Sequence, residues 1–266
     1  MKICFYSNCQ FKGIHTYLST KLDYDYEHVE NYILIKQKRA IPVDILKSAD
    51  IFIYQPIDKK HGIYSTDTNI ENNIMSYLSP KCKKISFPYI YNSTLWILIP
   101  PSISDSMIGN YGEAGKYING EPIEKLKIKG HSLHEVLEMY SDGKINFDFE
   151  NRFNKCIKIL KEKEELCDIK VSDYIIKNVR SKKLFYTQNH PSSHIFIHCV
   201  NQILQILSIN DLYNVNQVKK GDVIGSGSWC STSYDINYWK FTYKETPYDD
   251  KYIGHITNIY NKFIIN

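Results

Sequence analysis

Three short apolar runs in the first ninety residues, each stopped by a turn or a proline, constrain this chain more than any other feature. Lys2–Tyr6 (KICFY) runs into Ser7-Asn8-Cys9-Gln10 and then a helix-like segment over about 11–22. Asp50–Gln55 (DIFIYQ) is stopped by Pro56, and Lys84–Phe87 (KISF) by Pro88. Continuous apolar runs of this length read as strands buried on both faces of a parallel sheet. Between the last two, Ile70, Ile74, Tyr77 and Leu78 recur at helical spacing, and Pro80 ends that helix. The order βαβαβ predicts an α/β fold, an open and mostly parallel sheet with flanking helices.

The second half reads as helix-rich. Pro100-Pro101, Gly109, Gly112, Gly115, Gly120 and Gly130 punctuate a stretch expected to be a long loop or lid over about 100–130. Ser132 with Glu135 is a capping-box pattern that starts a short helix. Further helices are expected over about 152–168 and 171–180, and a strand at Leu184–Tyr186. Thr187-Gln188-Asn189-His190-Pro191 then leads into the clearest helix of the chain. There Ile195, Cys199, Ile203 and Leu207 form one apolar line, with Phe196, Val200 and Leu204 beside it. Pro191 suits the first turn of that helix. Residues 1–210 are therefore expected to form one α/β domain, with 211–266 as a C-terminal extension packed on it.

Composition excludes several classes. The charge is only +4, from 33 Lys+Arg against 29 Asp+Glu, and the two signs alternate without a basic stripe. Nucleic-acid binding is not indicated. No apolar run reaches the roughly 18–20 residues that span a bilayer. MKICFYSNCQ lacks the long apolar region of a signal peptide. Seven cysteines, an odd number without framework spacing, are expected to be reduced thiols in the cytoplasm. The wealth of Ile, Asn and Tyr follows A/T-rich codons and reports the genome; for a viral genome the compartment is the host cytoplasm.

Two junctions can carry chemistry. Cys9 lies between the first strand and the first helix, where α/β sheets bind ligands at the carboxyl ends of their strands. Turn amides and a helix N-terminus favour a thiolate there, and the same amides can hold an oxyanion. The bland alternative is a small buried hydrophobe, the usual fate of Cys and the expectation for the other six. His190 holds the matching place before the long helix, so Cys9 and His190 can meet as nucleophile and general base. Alone, His190 could equally cap the helix. Asn8, Gln10 and Asn189 are polar neighbours able to orient either group. His190, His194 and His198 share a helix face, but no carboxylate or Cys-x-x-Cys pair completes a metal set, so no metal is expected. Gly225-Ser226-Gly227 is no phosphate loop, since no Lys-Ser/Thr follows it.

These motifs occur in an order that resembles the WcbI family of polysaccharide-biosynthesis proteins. The set comprises Asn8-Cys9-Gln10 after a first strand, Phe87-Pro88 closing a later one with Trp96 soon after, Arg152…Glu165…Val171-Ser-Asp-Tyr174, and Phe185–Pro191 entering a long helix. The likeness spans about residues 1–210, with Ser7 standing where the family more often has Gly. It implies an acetyl-CoA-dependent acetyltransferase acting on a sugar or nucleotide sugar, with coenzyme A as co-substrate. It makes Cys9 and His190 catalytic, and Asn8, Gln10 and Asn189 oxyanion- or substrate-orienting. Ser7, Phe87, Pro88 and Tyr89 become candidates for the coenzyme pocket, and Arg180, Lys182 and Lys183 for its phosphates. The alternatives are an ester hydrolase using Ser7 or Cys9, and a non-catalytic sugar-binding domain.

Overall fold

The computed structural model describes residues 1–97, 120–214 and 228–263. In chain order its elements are β1 (Lys2–Ser7), α1 (Phe11–Leu18), β2 (Asp25–Glu30), α2 (Asn31–Lys36), α3 (Val43–Lys47), β3 (Ile51–Tyr54), β4 (Lys83–Ser86), α4 (Glu121–Ile128), α5 (Leu133–Ser141), α6 (Phe149–Glu164), α7 (Ser172–Asn178), β5 (Phe185–Thr187), α8 (Ser193–Ile206), α9 (Ser233–Trp239) and α10 (Asp249–Lys262). The chain divides into two compact units. One holds Met1–Ile90, Ile159–Lys177 and His190–Ser226; the other holds Tyr91–Lys158, Asn178–Asn189 and Gly227–Asn266. No described helix is long and apolar enough to cross a membrane.

The first unit is built on a parallel four-stranded sheet in the order β2-β1-β3-β4. This is the open α/β architecture that the apolar runs predict. β1 lies inside the sheet, and its side chains alternate between two buried faces. Cys4 and Tyr6 join Phe52, Met75 and Leu78 in one cluster. Phe5 looks the other way, its ring 5.8 Å from that of Phe11 on α1. On that side α1 meets α8, and the fit is close. A Cβ on Gly13 would lie 2.3 Å from the ring of Phe196. Both residues sit near the N-terminal ends of their helices, so the two first turns are drawn together.

In the second unit a buried polar knot sits among aromatic side chains. Asp235 is fully buried and accepts from the N–H of Thr232 (2.7 Å), its hydroxyl (3.0 Å) and the N–H of Ile97 (2.8 Å). Arg152, also buried, donates to the carbonyls of Phe147, Ser93 and Trp96. Trp96 packs edge-on against Trp229, with ring centroids 5.0 Å apart.

Several elements differ from the sequence expectation. The helix expected through Ile70–Leu78 is a single tight turn, Ile74–Tyr77. Asn72 takes a left-handed backbone (φ 54°), so no helix runs in from Ile70; the Asn73 side chain accepts from the N–H of Met75 (2.8 Å) and caps the turn, and Leu78 is already extended. β2 was not expected, because DYEHVE is charged and buries only Val29, as an edge strand can. Of the expected loop over 100–130, residues 100–119 lie outside the described residues, and 121–128 form α4. Gly120, left-handed with φ 96°, and Pro122 mark the start of that helix, and Gly130 follows its end. Pro191 stands outside α8, because the N-cap is Ser192. The Ser132–Glu135 capping box forms as read, and Gly225-Ser226-Gly227 lie outside the described residues.

Candidate functional site

β1, β2 and β3 end together at one edge of the first unit's sheet, and β1 feeds the turn that carries Cys9. The Asn8 carboxamide oxygen accepts from the N–H of Gln10 (2.9 Å). The carbonyls of Asn8 and Cys9 receive the N–H groups of Phe11 (3.2 Å) and Lys12 (3.1 Å). The turn is thus wound tightly into α1. His190 precedes α8 by three residues, and the close packing of α1 on α8 delivers it to the same place. Cys9 Sγ and His190 Nε2 are 3.8 Å apart. His190 does not cap α8, since it lies two residues ahead of the N-cap.

The thiol does not behave as the turn position predicts. Burial pushes the Cys9 pKa up, and this outweighs its own backbone N–H and the Lys12 ammonium, which pull it down. The Glu30 carboxylate pushes in the same direction as burial. The neutral thiol is therefore the favoured form. The expected amide cradle is narrower too. The N–H groups of Asn8, Gln10, Phe11 and Lys12 are already taken by Gln55 Oε1, Asn8 Oδ1 and the carbonyls of Asn8 and Cys9.

The other sequence candidates are placed as follows. Gln10 is fully buried, and its carboxamide donates to the carbonyl of Ile90 (2.7 Å) and accepts from the N–H of Ile90 (3.2 Å). It is a clamp on the segment after β4. Ser7 is fully buried, and its hydroxyl donates to the Asn8 carbonyl (3.2 Å), which leaves it ill-placed as an ester nucleophile. Phe87 is a core side chain whose N–H extends the β3–β4 ladder to Tyr54 (2.9 Å). Pro88 is buried, and half-buried Tyr89 lies under the Lys163 ammonium, 5.4 Å from its ring centre. Arg180, Lys182, Lys183 and Asn189 belong to the second unit. There Lys183 pairs with Glu245 (2.9 Å), and Asn189 Oδ1 accepts from the Thr187 hydroxyl (3.2 Å). His198, on the supposed metal face, donates Nε2–H to the Lys170 carbonyl (3.1 Å) and stacks on Tyr174.

Sequence reasoning missed four residues around the Cys9 turn. His28 donates its Nε2–H to the Ser7 carbonyl (3.0 Å), stacks on Phe11 with centroids 3.6 Å apart, and is biased toward its neutral form by burial. Glu30 ends β2 opposite Ser7, and half-exposed Tyr32 follows in α2, its hydroxyl pKa raised chiefly by burial and then by Glu30 and Cys9. Gln55 closes β3. Only Gln55 left a readable signal, a polar residue ending a buried apolar strand at the edge where Cys9 was expected.

The sequence profile of the polysaccharide biosynthesis enzyme WcbI matches residues 2–212. No curated protein sequence matches the chain. Among solved structures, one reported as WcbI, a polysaccharide biosynthesis enzyme, aligns with a TM-score of 0.67 at 17% identity, covering 99% of this chain and 90% of that one. That structure is described as native protein without a disulfide bond between coenzyme A and a cysteine. At this identity it establishes the fold, while the profile covers well over half the chain. On that match, the chain belongs to the WcbI family of polysaccharide biosynthesis enzymes.

Proposed function

We propose that this protein transfers an acetyl group from acetyl-CoA to a hydroxyl or amine of a sugar or nucleotide sugar destined for a polysaccharide. The observation that carries the reading is the Cys9–His190 pair, 3.8 Å apart at the carboxyl edge of the sheet. Family membership supports the sugar, and the description of the solved relative supports a coenzyme A thiol close to a cysteine. In the proposed reaction His190 takes the acceptor proton as the acceptor attacks the thioester carbonyl. The tetrahedral oxyanion collapses, and the coenzyme leaves as a thiolate that recovers the proton from His190. A thiol held protonated by burial favours this direct transfer over an acyl-cysteine route. Cys9 then forms one wall of the reacting centre, and Asn8 orients groups beside it.

The coenzyme's phosphates call for cations. In the first unit Lys12, whose charge is felt at Cys9, and Lys163 over Tyr89 meet that need. Of the cations expected from the sequence, Lys183 is already paired with Glu245 within the second unit, which weakens its claim. We take residues 1–210 as the catalytic domain and 211–266 as an extension, in line with the profile's end at residue 212. Seven free cysteines suit a reducing cytoplasm, where acetyl-CoA is available. Thermal unfolding with coenzyme A tests the reading. At about 100 times its Kd a ligand of the native state adds about 2.7 kcal/mol of stability. A melting temperature unmoved by coenzyme A and by acetyl-CoA would remove the coenzyme from the account.

A further inference from the structure

Behind the Cys9 turn lies a buried chain of two carboxamides. Gln55 Oε1 accepts from the N–H of Asn8 (3.0 Å), and Gln55 Nε2 donates to Gln10 Oε1 (3.0 Å). Gln10 then grips both backbone groups of Ile90. The Gln55 backbone N–H donates to the Tyr6 carbonyl (3.0 Å), which fixes its own position beside β1. Gln55 is 3% exposed and Gln10 is fully buried. The orientation of both carboxamides is dictated by the main chain. The Asn8 N–H needs an acceptor at one end, and the Ile90 N–H and carbonyl need one of each at the other. Reversing either amide would set donor against donor, at a cost no packing here offsets.

We propose that Gln55 is the positioning residue of the Cys9–His190 pair, locking the main chain ahead of Cys9 to the segment after β4. Asn8 is the last residue before the thiol, and its N–H is held by a side chain from a neighbouring strand. A sulfur on a turn fixed in this way stays within reach of His190. Any displacement of Asn8 moves Sγ directly, because only one peptide unit separates them.

The test is iodoacetamide labelling of the whole protein across pH, with the Cys9 peptide quantified by mass spectrometry. No coenzyme or sugar is present, so the outcome is separate from that of the acetyl-transfer reading. In the wild type the Cys9 rate should show an imidazole inflection as well as the thiol one, because the paired groups titrate together. Gln55→Leu removes both bonds. Gln55→Asn keeps the amide and nearly all the volume but is too short to span from Asn8 to Gln10. Both are expected to lose the imidazole inflection, as His190→Ala does. At neutral pH they should label Cys9 roughly 10- to 100-fold more slowly, the cost of a misplacement near 1 Å. Cys156 and Cys230, half-buried elsewhere, should keep their rates, whereas general loosening of the fold would raise them. Gln55→Asn decides the matter if Gln55→Leu unfolds. A Gln55→Asn protein whose Cys9 keeps the inflection and the wild-type rate overturns the proposal, as does one in which all three cysteines speed up together.

Discussion

At the scale of single residues, the thiol and the imidazole have unequal roles in the proposed transfer. Burial holds Cys9 as a thiol, so it is poorly prepared to carry an acetyl group. In the proposed transfer His190, 3.8 Å from the thiol, is the base. Cys9→Ala should therefore retain acetyl transfer within about tenfold, while His190→Ala loses about 10²–10⁴-fold, the usual contribution of a general base. Steady-state rates of coenzyme thiol release measure both, and equal losses would point to an acyl-cysteine instead. Both residues were legible in the sequence, because each follows a strand and precedes a helix in a fold whose strand ends share one edge. The direction of the thiol's pKa was not. It depends on how deeply the turn is buried and on Glu30, a residue from a strand that the charged sequence DYEHVE conceals.

At the scale of elements, the contact of α1 with α8 sets the site geometry. Gly13→Ala should raise helix propensity by up to about 1 kcal/mol. The same Cβ would meet the Phe196 ring at 2.3 Å, and overpacking of this kind costs about 1–3 kcal/mol. The clash should win, giving a net loss of stability in urea unfolding and slower turnover as Cys9 and His190 separate. Stability equal to or above wild type would show that the ring moves aside freely. The apolar stripes of α8 made that helix readable, since Ile195, Cys199, Ile203, Phe196, Val200 and Leu204 are all buried. The turn at Ile74–Tyr77 is shorter than the apolar spacing suggests because the left-handed Asn72 keeps a helix from running in from Ile70 and Leu78 is already extended. Apolar spacing carries no record of either.

At the scale of the whole molecule, one buried acid ties stability to pH. Burial raises the pKa of Asp235 to about 7, against the pull of the Thr232 and Ile97 donors and of Arg152. Its unfolded value is about 3.9. Between these two values the folded protein binds a proton that the unfolded chain has released. Its contribution to stability is therefore full below about pH 4 and is lost as pH rises through about 7. The urea midpoint of the wild type, taken relative to that of Asp235→Asn, should fall between pH 5 and pH 8; His15, His28 and His198, whose pKa values burial lowers, act in the opposite direction and cancel in this comparison. A midpoint that rises across this window in the wild type alone would mean that Asp235 is ionised when folded. Three of the four parallel strands, β1, β3 and β4, were readable because buried strands announce themselves as apolar runs, whereas the sheet order was not, because the edge strand β2 is charged. The knot of Asp235 with Ile97 and Thr232 joins residues 138 apart in sequence and three apart, and only the short-range half has a sequence pattern.

The central claim, that Cys9 and His190 frame an acetyl-CoA-dependent transfer to sugar, is tested most directly by one assay. Acetyl-CoA labelled in its acetyl group is incubated with a panel of sugars and nucleotide sugars, and label is counted in sugar and in acetate, for wild type and for His190→Ala. The account predicts label in one class of sugar, matched one-to-one by coenzyme thiol, and a loss of about 10²–10⁴-fold in His190→Ala. Label recovered only as acetate, or transfer that His190→Ala leaves unchanged, would contradict it.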